Sequence, residues 1–137
     1  MSWTAHADDD ALTADRRQTL VDLYRAFNDR DIDAVLAHLA PGVDWPNGWK
    51  GGRVHGREAV RAYWTSQWKE INPRVEPLEI DFEKDGTARV RVDQLVRSLD
   101  GKVISNHQLE HVYEFDGPFI TRMTIVDSDK ADDDTEE

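Results

Sequence analysis

Two histidines four positions apart are the residues of this sequence best suited to proton chemistry. His107 and His111 lie in the run from Val103 to Phe115, where apolar and polar residues alternate. Alternation with period two marks a half-buried strand, so Val103, Ser105, His107, Leu109, His111, Tyr113 and Phe115 share one face. That face is the more apolar and is predicted to turn inward. Imidazole takes or gives a proton near neutrality, which makes His111 the candidate general acid or base. Along an extended strand the two rings sit about 13 Å apart, so only a long ligand touches both. The competing reading makes both histidines core residues bonded to neighbouring groups.

The tryptophans point to what such an imidazole would act on. Five of them in 137 residues exceed what a core of this size needs. Trp45, Trp49, Trp64 and Trp68 cluster around one short strand and one helix. Indole offers a large flat face and a single N–H. Trp45, Trp49, Tyr63, Trp64, Gln94, His107, Leu109 and Tyr113 are therefore predicted to line a pocket for a small hydrophobic molecule. Trp64 and Trp68 equally fit the buried stripe of a helix, and Gln94 fits an amide bonded to backbone. Arg53, His55 and Arg57 precede a helix and would suit an anion there, although solvated side chains explain them more simply.

Other chemistries lose support at this stage. Cysteine is absent, which removes disulfides, thiolate metal sites and thiol nucleophiles. His38 and His55 fall on a helix end and a loop, and no third ligand stands at a diagnostic spacing, so neither a metal nor a cofactor is expected.

Three helices and a meander must position these residues. Leu20, Leu23, Tyr24 and Phe27 recur at helical spacing behind Thr13, a candidate cap. Asp31 caps a short second helix burying Ile32, Val35, Leu36 and Leu39, which Pro41-Gly42 is predicted to end. Val43-Asp44-Trp45 reads as a short strand followed by the Gly-rich stretch 46–52. A third helix after Gly56 buries Ala59, Val60, Tyr63, Trp64, Trp68 and Ile71, and Asn72-Pro73 is predicted to close it. The period then changes to two, with Leu78, Ile80 and Phe82 in one strand and Ala88, Val90, Val92, Gln94 and Val96 in the next. The histidine strand and a final strand from Phe119 to Val126 complete the meander, an α+β order.

The formal charge of −11 is unevenly spread. Asp8, Asp9 and Asp10 give −3, and residues 127–137 give −6, which leaves −2 for the body. Residues 1–12 and 127–137 are predicted to be disordered acidic tails flanking one domain over 13–126. The body has no basic stripe for nucleic acid. No apolar run approaches the roughly 18 residues of a membrane span. The start of the chain lacks a signal-peptide layout, so the cytoplasm is the expected compartment.

The segments Tyr24-Arg25-Ala26-Phe27-Asn28-Asp29-Arg30-Asp31, Val43-Asp44-Trp45, Val54-His55-Gly56-Arg57-Glu58-Ala59-Val60 and His111-Val112-Tyr113-Glu114-Phe115-Asp116-Gly117 occur in this order. Together they resemble the bacterial nuclear transport factor 2-like group that includes SnoaL-like polyketide cyclases and ketosteroid isomerase. The resemblance covers about residues 15 to 126. It implies a cone-shaped α+β barrel with three N-terminal helices packed on a curved antiparallel sheet around a pocket for a small apolar ligand. It also implies a homodimer paired through the sheet. The fold serves isomerases, cyclases, dehydratases, epoxide hydrolases and non-catalytic binders, so activity is a property of the site. Ketosteroid isomerase uses an aspartate base and an oxyanion hole of a tyrosine and a protonated aspartate. The resemblance places Trp45, Leu23 and His111 at those positions, which disfavours steroid isomerisation. Two functions stay open: cofactor-independent isomerisation, dehydration or cyclisation using His111, or ligand binding and interaction without turnover.

Overall fold

Three helices and six strands follow one another as α1 (Ser2–Asn28), α2 (Ile32–Leu36), β1 (Leu39–Pro46), β2 (Arg53–His55), α3 (Arg57–Trp68), β3 (Ile71–Phe82), β4 (Ala88–Ser98), β5 (Val103–Asp116) and β6 (Phe119–Val126). The computed structural model describes the backbone over residues 2–47 and 51–126, with side chains from residue 11 onward within those ranges. Trp49 and the acidic segment 127–137 lie outside the described residues.

The strands form one curled, open sheet in the order β2-β1-β6-β5-β4-β3. Neighbours run antiparallel except β1 and β6, which are parallel. This is the α+β cone expected from the sequence, with one parallel pair that the meander pattern did not announce. The helices cover its inner face. Leu20, Leu23 and Tyr24 of α1, Val60 and Trp64 of α3, and Val90, Val92, Leu109 and Tyr113 of the sheet join one buried cluster. Each fully buried aliphatic side chain of this kind contributes about 1.5–3 kcal/mol. No described helix is long and apolar enough to cross a membrane.

Several boundaries differ from the sequence reading. The first helix runs back to Ser2, past Thr13 and through residues expected to be a disordered tail. Ala5, Ala7, Ala11 and Leu12 are strong helix formers with no Gly or Pro among them, so the helix propagates across Thr13. Leu39, Pro41 and Gly42 belong to β1 rather than to the end of α2. Pro41 and Gly42 fall where the register with β6 shifts between Leu39 and Asp44, a place that tolerates both residues.

The third helix stops at Trp68, so Ile71 begins a strand. Asn72 and Pro73 sit within β3, and as the edge strand β3 accommodates Pro73 and Pro77 without breaking the sheet. The Asn28 side chain covers part of that edge, donating to Val75 O at 2.8 Å and accepting from Val75 N at 2.9 Å. Leu78, expected inward with Ile80 and Phe82, is 46% exposed. A bulge between Pro77 and Glu79 shifts the register there and turns Leu78 outward.

Arg16 ties α1 to two turns. Its Nε donates to Gly117 O at 2.8 Å, and its guanidinium lies 4.9 Å from the Phe115 ring centre. At Gly86, φ is +90°, and an added Cβ would stand 2.7 Å from the Arg16 guanidinium. Gly86→Ala is therefore expected to cost about 1–2 kcal/mol through the left-handed backbone alone, plus any loss from displacing Arg16. A urea midpoint equal to that of the parent chain would contradict this.

Candidate functional site

A cavity of about 530 Å³ lies between the helices and the inner face of the sheet. The helical spacing of α1 delivers Leu23, Tyr24 and Phe27 to it, and that of α3 delivers Tyr63, Trp64 and Gln67. The alternation of β5 delivers His107, Leu109, His111 and Tyr113 from one face. Aromatic rings build much of the wall. Trp45 and Trp64 meet edge to face with centres 5.4 Å apart, and Trp45 lies 6.2 Å from Tyr113.

A chain of three polar groups occupies the buried side of this wall. The Tyr113 hydroxyl donates to the Tyr24 hydroxyl oxygen at 2.8 Å. The Tyr24 oxygen in turn lies 2.8 Å from His111 Nδ1. Tyr24 has one proton to give, and Nδ1 is the acceptor in reach among the described residues, so Tyr24 donates to it. An imidazole that accepts at Nδ1 and is neutral carries its proton on Nε2. That Nε2 is buried and has no hydrogen-bond partner among the described residues.

The electrostatics agree with a neutral ring. Burial lowers the His111 pKa to about 4, because no countercharge repays the desolvation of an imidazolium. Burial likewise raises both phenols above their ordinary value, so Tyr24 and Tyr113 keep their protons. At neutral pH His111 therefore carries a buried N–H rather than a charge. This differs from a proton shuttle, which would need a pKa nearer the working pH.

Each predicted lining residue except Trp49, which lies outside the described residues, can now be placed. Trp45, Tyr63, Trp64, Gln94, His107, Leu109, His111 and Tyr113 all border the cavity. Gln94 pairs across the sheet with His107 and is not beside His111. Trp68 stands behind the wall, stacked on Trp64 with centres 6.1 Å apart, so Trp64 serves both core and wall. Arg53 and His55 both approach Asp44, with His55 Nδ1 3.7 Å from Asp44 Oδ1, and Arg57 turns to β1. Arg53 Nε donates to Asp44 Oδ1 at 2.6 Å, and Arg57 Nε donates to Leu39 O at 2.8 Å. The Arg53 hydrogen bond is the main reason that the Asp44 carboxyl is held below its ordinary pKa. Asp44 does not line the cavity.

Sequence reasoning missed Tyr24 as a site residue. The resemblance places Leu23 at the phenol position of the isomerase and turns Tyr24 away, yet both line the cavity and the longer side chain reaches His111. The signal was available: a tyrosine in a buried helical stripe needs a partner for its hydroxyl. Gln67, 9% exposed, was also missed; its Nε2 donates to the Tyr63 hydroxyl at 3.2 Å. Among the described residues no group of three or more His, Asp or Glu side chains could hold a metal ion.

The comparisons with known proteins agree with this architecture. A SnoaL-like domain model matches residues 20–123. The structure of TerC co-crystallised with polyporic acid superposes with a TM-score of 0.73 at 23% identity, covering 88% of this chain and 96% of that one. A nuclear transport factor 2-like protein of unknown function from Burkholderia pseudomallei gives 0.73 at 27% identity, over 85% and 94%. An LEH-like epoxide hydrolase from M. tuberculosis gives 0.69 at 15% identity, over 82% and 81%. No curated protein matches the chain. With the matched model spanning most of the fold just described, the chain belongs to the SnoaL-like domain family of the nuclear transport factor 2-like superfamily.

Proposed function

We propose that this protein binds a small, flat, largely apolar molecule through a carbonyl oxygen seated on the His111 Nε2–H. The carrying observation is the unpartnered, buried Nε2 of a residue that borders an aromatic cavity. A buried donor left alone costs about 1–3 kcal/mol, which a ligand oxygen would recover on binding. Such a donor polarises a carbonyl and stabilises negative charge developing on its oxygen. That is the electrophilic half of a cofactor-independent isomerisation, dehydration or cyclisation. Tyr24 and Tyr113 act as positioning residues, because they fix the tautomer that carries its proton on Nε2.

Binding without turnover is a second reading, favoured by one observation. Among the described residues no carboxylate lines the cavity, so a proton acceptor would have to be His107 or water. Tryptophan fluorescence during titration with aromatic ketones, followed by mass spectrometry of the mixture, separates the two. We expect saturable quenching and about tenfold weaker binding in His111→Phe, with part of the loss restored in His111→Gln, whose amide keeps an N–H donor. Equal affinities in all three proteins would remove His111 from the site. Product formation selects the enzyme, and its absence across the panel selects the binder.

A further inference from the structure

A second cleft, of about 270 Å³, lies at the open edge of the sheet and is lined by Asn28, Arg30, Asn72, Arg74, Leu95 and Arg97. Register explains the gathering. Asn72 pairs with Arg97 and Arg74 with Leu95 across β3 and β4, so Arg74 and Arg97 are diagonal neighbours on one face. The turn between α1 and α2 adds Arg30 from the side.

Arg30 is held with unusual firmness for a loop arginine. Its backbone adopts φ +63° without being glycine, a conformation that costs an L-residue about 1–2 kcal/mol. Its Nη1 donates to Phe27 O at 3.2 Å, and its Nη2 donates to Pro73 O at 2.7 Å and to the Asn72 side-chain oxygen. The guanidinium also lies 5.0 Å from the Trp68 ring centre. Those three bonds leave two of its five N–H donors without a partner among the described residues.

The charges around it are not balanced. No carboxylate lines this cleft among the described residues. Arg74 reaches Glu76, but Arg97 makes no hydrogen bond or ion pair among the described residues. Asp29 is exposed, and Asp31 turns to the Ala34 amide, so neither enters the cleft. Burial and the nearby charge of Arg74 lower the Arg30 pKa, the response of a cation that lacks an anion.

We propose that this cleft is a binding site for a phosphate-type oxyanion, either inorganic phosphate or the terminal group of a small phosphate ester. Arginine presents planar paired donors that match phosphate oxygens, and here three arginines line one space. Nothing in this proposal depends on what the aromatic cavity holds. Pro73 borders both spaces, but the arginines are absent from the wall of the larger one, Arg53 apart.

Isothermal titration of the full chain with inorganic phosphate and with phenyl phosphate, at ionic strength held constant with chloride, tests it. We expect one saturable site, weakened about tenfold or more in Arg97→Gln and in Arg74→Gln as each removes a charge-assisted contact. Both side chains are exposed, so these variants keep the fold, and Arg30 is left in place because it packs on Trp68. Affinity unchanged in His111→Phe would separate this site from the cavity. Tighter binding of phenyl phosphate identifies an ester as the ligand class, and equal binding identifies free phosphate. Absence of saturation with both ligands, or equal affinity in the parent, Arg97→Gln and Arg74→Gln proteins, would overturn the proposal.

Discussion

Tyr24→Phe is expected to destabilise the folded chain by about 2–6 kcal/mol, far more than the loss of one oxygen atom suggests. The phenol links two buried groups, accepting from Tyr113 and donating to His111 Nδ1. Removing it strands both partners, and each buried polar group left unsatisfied costs about 1–3 kcal/mol. Tyr113→Phe is the internal control. It removes a donor but leaves the Tyr24–His111 bond intact, so its cost should stay near 1 kcal/mol. Urea denaturation of the two variants decides the matter. Equal, small losses would mean that the three groups do not act as a chain.

Acid should destabilise the protein through His111 itself. Its folded pKa of about 4 lies below the 6.5 of a free imidazole, so between these values the unfolded chain binds a proton that the folded chain refuses. The stabilisation is full above pH 6.5 and is lost as the pH falls to about 4. A separation of this size corresponds to about 3 kcal/mol. Comparing the pH 7 and pH 4 stabilities of the parent with those of His111→Phe isolates the effect, since carboxylates such as Asp44 titrate in both. The parent should lose about 3 kcal/mol more than the variant over that range, and parallel pH curves would contradict the burial argument.

The fold was readable because its signals are local and periodic. The alternation of Leu109, His111 and Tyr113 sets the inner face of β5, and the stripe of Val60, Tyr63 and Trp64 sets the inner face of α3. Errors arose where one local pattern supports two structures. Ile71 lies three residues beyond Trp68, a spacing that continues a helix, yet it opens an edge strand. Leu78 alternates correctly with Ile80 and Phe82, but a bulge cancels that alternation. Residues 2–12 are acidic enough to suggest disorder, yet hold enough alanine to extend a helix.

The site was legible by residue type and illegible by pairing. Aromatic residues on predicted inner faces do border one cavity. That Tyr24 and His111 would meet depends on packing α1 against β5 across 87 positions of chain, and no local pattern encodes such a contact. The same contact underlies the donor role proposed for His111. A histidine read from sequence suggests an acid or base, whereas one buried beside a phenol without a countercharge is a neutral donor.

Nitrogen-15 NMR of the His111 ring tests that assignment most directly, since the two tautomers and the imidazolium have distinct shifts. Between pH 5.5 and pH 8 the ring should be neutral with its proton on Nε2, and the Nε2 resonance should move when an aromatic ketone binds. A proton on Nδ1, or an imidazolium at pH 6, would contradict the donor role of His111.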